Sequence, residues 1–305
     1  MSASAASFNA QLTNYAAGIS QDTASRLARF ICPIVVTGGA FGQYKKFDDK
    51  NAFQAYETAR AIGGARKRIE FAATDPYYNC KPNGLEVPVD DQERLLAGPT
   101  AARLVEAKIK TLVTTCNVSN EKKIFDMVKA AKAATGSIGV WSSSSNDPIA
   151  EIDGEIEAIS TETGIMPNKM VIGLGAWRVL KNHAKTLARQ PGMASQGVTL
   201  DQLAGMLLNP AIKIEVGILS RDTVKFGAAK NAVNIVGGEV FIFYGGDQPD
   251  QYDPSFAKCF ATSGDMVESV RQYREDKTAS DIYYVDWSED PQVVSAACGR
   301  RITLS

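Results

Sequence analysis

The sequence predicts an α+β fold laid out in five successive stretches: an arm, an extended loop, a helical stretch, a mixed helix–strand block and a β-rich return. Three observations carry that prediction. Residues 1–21 hold no charged side chain and show little helical patterning. Residues 41–89 are dense in charge and offer only short strand-like pieces. Apolar residues then recur at helical spacing from about residue 99, whereas alternating strands dominate after residue 236.

The arm has too little apolar material for a core of its own, so it orders only against a partner or not at all. "FICPIVVTGG" reads as a strand ending in a glycine turn. In the charged stretch, "RIEFAA" and "LEVPV" are the strand-like pieces, separated by "DPYYNCKPNG" with its Asp75-Pro76 and Asn83-Gly84 turn signals. The expectation is a long two-stranded excursion, a feature that is marginal in water and persists when another chain covers it.

Helical spacing follows. Leu104, Val105, Ile109, Leu112 and Val113 form one stripe over residues 99–115, and Ile124, Phe125, Val128 and Ala131 form another over 119–134. Gly98-Pro99 marks the start. The first helix is short unless it continues from Asp91 past the proline, and Pro99 should kink or split it. Asp147-Pro148 opens a further helix, with an acidic cap and proline at the first helical position. Ile149, Ile152, Ile156 and Ile159 are its buried face, and Gly164 suits its end. The other faces carry Glu151, Asp153, Glu155, Glu157 and Glu162. The next helix carries Arg178, Lys181, Lys185 and then Arg189. These are either two solvated faces or complementary surfaces within or between chains. Thr199 and Gln202 form a capping box. In "AIKIEVGIL", Ile212, Ile214 and Val216 alternate as one face of a strand.

Composition narrows the functions open to such a chain. The net charge is −1 over 305 residues, which gives no global electrostatic case for nucleic-acid or membrane binding. No apolar run approaches the roughly 18 residues of a membrane-spanning helix, and the first residues lack the basic-then-apolar pattern of a secretory signal. The five cysteines are widely spaced with no CxxC, so neither a disulfide framework nor a zinc site is expected. His183 is the single histidine, which leaves no basis for a histidine-rich metal site and predicts a packing or surface role. No catalytic residue, cofactor or metal is expected.

One stretch resembles a nucleotide-binding turn. In "NKMVIGLGAWRVL" an apolar strand runs into Gly173 and Gly175 ahead of a helix. A dinucleotide fingerprint needs a third glycine for close helix packing, and Arg178 stands there. The strand that should precede it is replaced by the helix opening at Asp147. Tight strand-to-helix packing explains the glycines better, and a nucleotide-dependent enzyme stays as a distant alternative.

Three segments resemble the major capsid proteins of tailed bacteriophages. In "WSSSSNDPIAEIDGEIEAISTETGIMPNKMVIGLGAWRVLKNHAKT", the features are Trp141, Asp147-Pro148, Thr163-Gly164, Pro167-Asn168 and the Leu180–His183 "LKNH". Upstream lie Thr58, Arg60, Ala61 and Gly63, followed by "GLEVPVDD". Downstream, "GGEVFIFYGG" precedes "DPSFAKCFATSG". The resemblance spans residues 41–265 in order.

It implies a Hong Kong 97-type capsid fold: an N-terminal arm (1–40), an extended loop (41–89), a peripheral domain with a spine helix (90–137), an axial domain (138–235) and a β-rich return completing both domains (236–305). It also implies a non-enzymatic shell subunit that assembles with itself into hexamers and pentamers of an icosahedral head, in the virion, after synthesis in the bacterial cytoplasm. Packaged double-stranded DNA would be met non-specifically. Scaffolding, decoration and portal proteins are further partners that the family allows; a membrane is not. An encapsulin-like compartment keeps the same fold and is the nearest alternative. Arginine and tyrosine are enriched at interface centres. The candidate contacts are therefore Arg66, Lys67, Arg68, Tyr77 and Tyr78 on the loop, with Glu151 and Glu155 on the acidic helix.

Overall fold

A computed structural model describes residues 7–8, 26–46, 58–60, 62–64, 66, 75–132, 138–189, 197–224, 229, 231–246, 250, 253–262 and 270–304. Two sheets joined by one long helix organise them.

The first sheet is built on β14 (Ser280–Val293). Along one edge of it β5 (Lys81–Asp90) runs antiparallel, from Asp90 opposite Ser280 to Lys81 opposite Glu289. On the other edge β13 (Val270–Glu275) covers Ser280 to Val285, and β12 (Ala257–Ala261) covers Glu289 to Val293. β2 (Ile34–Val36) adds to β12 in parallel, and β1 (Ser7–Phe8) adds to β13 antiparallel. "LEVPV" therefore lies within the sheet, paired with a strand some 200 residues later, and is not half of a free hairpin. Its expected partner, "RIEFAA", lies outside the described residues. Pro82 and Pro88 stand six apart and so share one side of β5, the outer side, where no ladder donor is needed.

The second sheet runs in the order β6 (Ile138–Gly139), β15 (Gly299–Leu304), β11 (Glu239–Phe243), β7 (Lys169–Gly173) and β8 (Lys213–Gly217). Every residue of β7 is buried, because the sheet is covered on both faces. Met170, Ile172, Val240, Ile242 and Ile302 pack against α4 (Pro148–Thr163), α5 (Leu174–Lys181) and α6 (Leu200–Met206). Val171, Phe241 and Phe243 alternate onto the opposite face and meet Ile124, Phe125 and Val128. The return thus divides between both sheets. Two ribbons stand off them: β3 (Phe41–Gln43) with β4 (Tyr77–Asn79), and β9 (Ser220–Asp222) with β10 (Ala232–Asn234).

The long helix, α3 (Ala101–Ala131), corrects the sequence reading. The stretches 99–115 and 119–134 are one helix of 31 residues, about 46 Å long at 1.5 Å per residue. Pro99 does split it from what precedes: α2 (Asp91–Ala97) ends at Gly98, and a 3₁₀ turn over Gly98–Thr100 leads into α3. Gly98 has φ +51°, a value that favours glycine. The buried stripe of α3 is apolar at each end and polar in the middle. Ile109, Leu112, Val113 and Cys116 pack on the first sheet, and Ile124, Phe125 and Val128 reach the second. Between them Asn117, Asn120 and Glu121 are equally buried.

The arm boundary near residue 40 also changes. Residues 27–36 belong to the body. "FICPIVVTGG" opens as the end of a short helix, α1 (Ala28–Ile31), before β2, and Leu27, Ala28, Ile31 and Cys32 are core residues.

Candidate functional site

The foot of the loop is the β3–β4 ribbon. Phe41 pairs with Asn79 and Gln43 with Tyr77. Two further backbone bonds, Tyr44 N to Pro76 O at 3.1 Å and Cys80 N to Ala40 O at 2.7 Å, extend the pairing, and Lys45 meets Asp75 at 2.7 Å. The Asn79 amide donates to Asp290 at 2.8 Å, tying the ribbon to β14.

Adjacent residues on a strand point to opposite faces. Tyr77 stacks on Phe41 with ring centroids 5.1 Å apart, and both rings face outward, 59% and 63% exposed. Tyr78 points in, stacked on Phe260 at 4.8 Å beside Tyr44 and Cys80. Gly42 leaves room for it, since a Cβ there would fall 2.4 Å from the Tyr78 hydroxyl. Tyr78 is therefore a core residue of its own subunit and is withdrawn as a contact candidate. Arg66 is exposed; Lys67 and Arg68 lie outside the described residues.

The acidic helix α4 spends much of its charge within the subunit. Glu151 accepts the indole N–H of buried Trp141 at 2.7 Å. Glu155 lies 3.6 Å from Arg300 of β15, which also bonds Glu162. Asp147 meets Arg189 at 2.9 Å, and Asp153 accepts the Leu208 amide at 2.8 Å. Of the basic positions, Arg189 thus has its partner inside the chain, whereas Glu155 pairs with an arginine that the sequence reading never weighed. Burial raises the pKa of Glu155 against the opposing pull of Arg300 and Lys132. Glu155→Lys would put a third cation beside those two. It is expected to destabilise the subunit by about 1–2 kcal/mol, read as a lower urea midpoint; an unchanged midpoint would remove this role.

The Gly173–Gly175 turn is filled by the chain itself. The Gly175 amide donates to the Gly237 carbonyl at 3.2 Å, and a Cβ on Gly173 would meet that same oxygen at 2.1 Å. His183 packs rather than reacts: Nδ1 accepts the Lys185 amide at 3.3 Å, and Nε2 lies 3.2 Å from the Ser143 carbonyl. The first contact caps the short helix Ala184–Ala188, and the second helps hold the serine-rich loop. All five cysteines are buried, and none is in a disulfide.

One cluster escaped the sequence reading. Glu121, deep in the α3 stripe, accepts the amides of Leu27 at 3.1 Å and Ala28 at 2.7 Å, so it caps α1 from another element. Burial pushes its carboxyl up to about 7, against the pull of those amides and of Arg26 and Arg29. Glu289, equally buried, takes Asn120 at 2.6 Å and Arg29 at 3.0 Å. Burial opposes its ionisation too, but Arg29 and then Lys123 outweigh it and hold its pKa below the ordinary value.

Comparison with known proteins places this architecture. No protein-family model matches the chain. The major capsid protein of Burkholderia phage BcepMu is 27% identical over 273 residues, covering 85% of each chain. The chain is similar to phage major capsid proteins over most of its length. A crystal structure of a phage-related protein from Bordetella bronchiseptica shares the fold of this capsid protein, with a TM-score of 0.74 at 22% identity over 98% of both chains. A virus-like particle from Pyrococcus furiosus shares it more distantly, with a TM-score of 0.55 at 11% identity over 96% of this chain and 98% of that one. The fold is the Hong Kong 97-type, and the role of this capsid protein is structural, in the virion of a tailed phage.

Proposed function

We propose that copies of this chain close into an icosahedral shell of hexamers and pentamers around double-stranded DNA, and that the loop between β3 and β4 lies across a neighbouring subunit. The observation that carries this reading is the apolar surface along the loop. Phe41 and Tyr77 face outward at its foot, and Ile62 is fully exposed further along. A neighbouring copy would remove them from water. Ring formation needs head-to-tail contacts between unlike surfaces, and a loop reaching onto the next subunit supplies one. The near-zero net charge spares many packed copies from mutual repulsion.

A deletion tests it. Removing residues 75–84 would take Tyr78 and Cys80 out of the core and strip rungs from β5, so it would report on folding. Removing residues 58–66 leaves every described strand in place. That variant is expected to fold with the wild-type urea midpoint yet yield no stable shells by electron microscopy; normal shells from it would overturn the loop's role. The Pyrococcus likeness keeps a compartment without a genome as the second reading. Nuclease-protected DNA inside particles from infected cells supports the first, and protein cargo without DNA supports the second.

A further inference from the structure

Helix α2 (Asp91–Ala97) has its polarity reversed. A surface helix ordinarily turns its apolar stripe to its own core. Here none of the seven residues is buried, and the helix is held to its subunit by charge. Asp91 meets Arg274 at 2.5 Å, Arg94 meets Asp281 at 2.5 Å and the Tyr283 hydroxyl at 2.9 Å, and Glu93 pairs with Lys108. Asp90 caps the first turn through the Gln92 amide at 2.7 Å. The apolar residues face out: Leu95 is 74% exposed and Leu96 87%. An exposed apolar patch rimmed by polar groups marks a contact surface.

We propose that the leucine face of α2 is an interface between copies of this chain, and that it meets the same face of another copy. This rests on the reading that the chain assembles with itself. The rim is compatible with a like partner. Asp91, Glu93 and Asp281 are matched by Arg274, Lys108 and Arg94, each carboxylate paired within its own subunit, so two such rims do not repel. Exposed Asp276, 3.7 Å from Arg274, has Lys277 beside it. A strongly one-signed rim would instead demand an opposite one. The position separates this contact from that of the loop. The ten residues of β5 lie between β4 and α2, about 33 Å at strand rise, so the two surfaces sit at opposite ends of the strand. Two leucines are far less than the roughly 800 Å² per partner of a standard interface. The contact is weak alone and counts through repetition around a shell.

Two constructions test the assignment. Leu95→Ser with Leu96→Ser removes only outward-facing groups, so the subunit should keep its urea midpoint while intact shells fall at least tenfold or come apart at lower denaturant. Wild-type yield and shell stability in that variant would overturn the interface. Leu95→Cys and Leu96→Cys each add a thiol to a chain whose own five are buried. Treated with a short bis-maleimide, shells of at least one should give covalent dimers on a denaturing gel, and dilute unassembled subunits should not. Intact shells of both without dimers would overturn same-face pairing. Wild-type protein that forms no shells at all would instead overturn the assembly reading.

Discussion

Raising the pH from 5 to 8 is expected to weaken the subunit against urea, and Glu121→Gln is expected to remove most of that loss. The folded-state pKa of Glu121 is raised, to about 7, above the ordinary 4.5. A carboxyl raised in this way lends stability that is complete below the unfolded value and is lost as the pH climbs through the folded one. The loss available from this one group is about 3 kcal/mol. Glu155, also raised by burial, acts in the same direction. Glu289 has the opposite sign: its depressed pKa means stability present above 4.5 and lost as the pH falls through its folded value. Maximum stability should therefore lie near pH 5. Glu121→Gln keeps one acceptor for two amides, so it should start lower at pH 5 and then fall much less, the remainder coming from Glu155. Urea midpoints at pH 5, 6.5 and 8 decide this. A level wild-type profile, or an equal slope in the variant, would show that the buried carboxyl does not govern this range.

Gly173→Ala is expected to cost about 3 kcal/mol or more, or to leave the protein insoluble. The backbone at Gly173 is ordinary, with φ −68° and ψ 149°, so conformation does not require glycine there. Space does. A Cβ would stand 2.1 Å from the Gly237 oxygen and 2.6 Å from the Val236 oxygen. Both neighbours are backbone, and β7 is held between β11 and β8, so nothing can swing aside. Gly154→Ala is the matched control. That glycine lies inside α4 with nothing within 4 Å of a Cβ, and the change should stabilise by about 0.5–1 kcal/mol. Soluble yield and urea midpoints compare the two; equal behaviour would discard the packing account of this turn.

Local chemistry was the legible part of this fold. Asp147 and Pro148 begin α4 as their types require, with Asp147 accepting the Ala150 amide, and Thr199 and Gln202 form both halves of their box. Gly98-Pro99 separates two helices. What failed were inferences about partners. A strand states its two faces but not its neighbour, so "LEVPV" could not announce β14. The same period-two rule did contain the fate of the tyrosine pair, since consecutive strand residues cannot both face outward. α3 reads as two helices in the sequence because its apolar periodicity is interrupted by Asn117, Asn120 and Glu121. Those residues occupy the same stripe at the same spacing, and two of them are buried with hydrogen bonds, Asn120 to Glu289 and Glu121 to the Leu27 and Ala28 amides. Glu155 illustrates the limit for charge: a helix face shows its sign, whereas Arg300 comes to it from 145 positions away.

The sheet orders also set a timetable for synthesis. β2 and β5 emerge early from the ribosome, but their partners are β12 and β14, and the second sheet has β15 inserted between β6 and β11. Neither sheet can close until residues 257–304 have been made. Such distant pairing is slow to form and leaves apolar strands waiting. A growing chain therefore cannot present a finished subunit to its neighbours on the same messenger. A subunit with both sheets closed exists only once translation is nearly over.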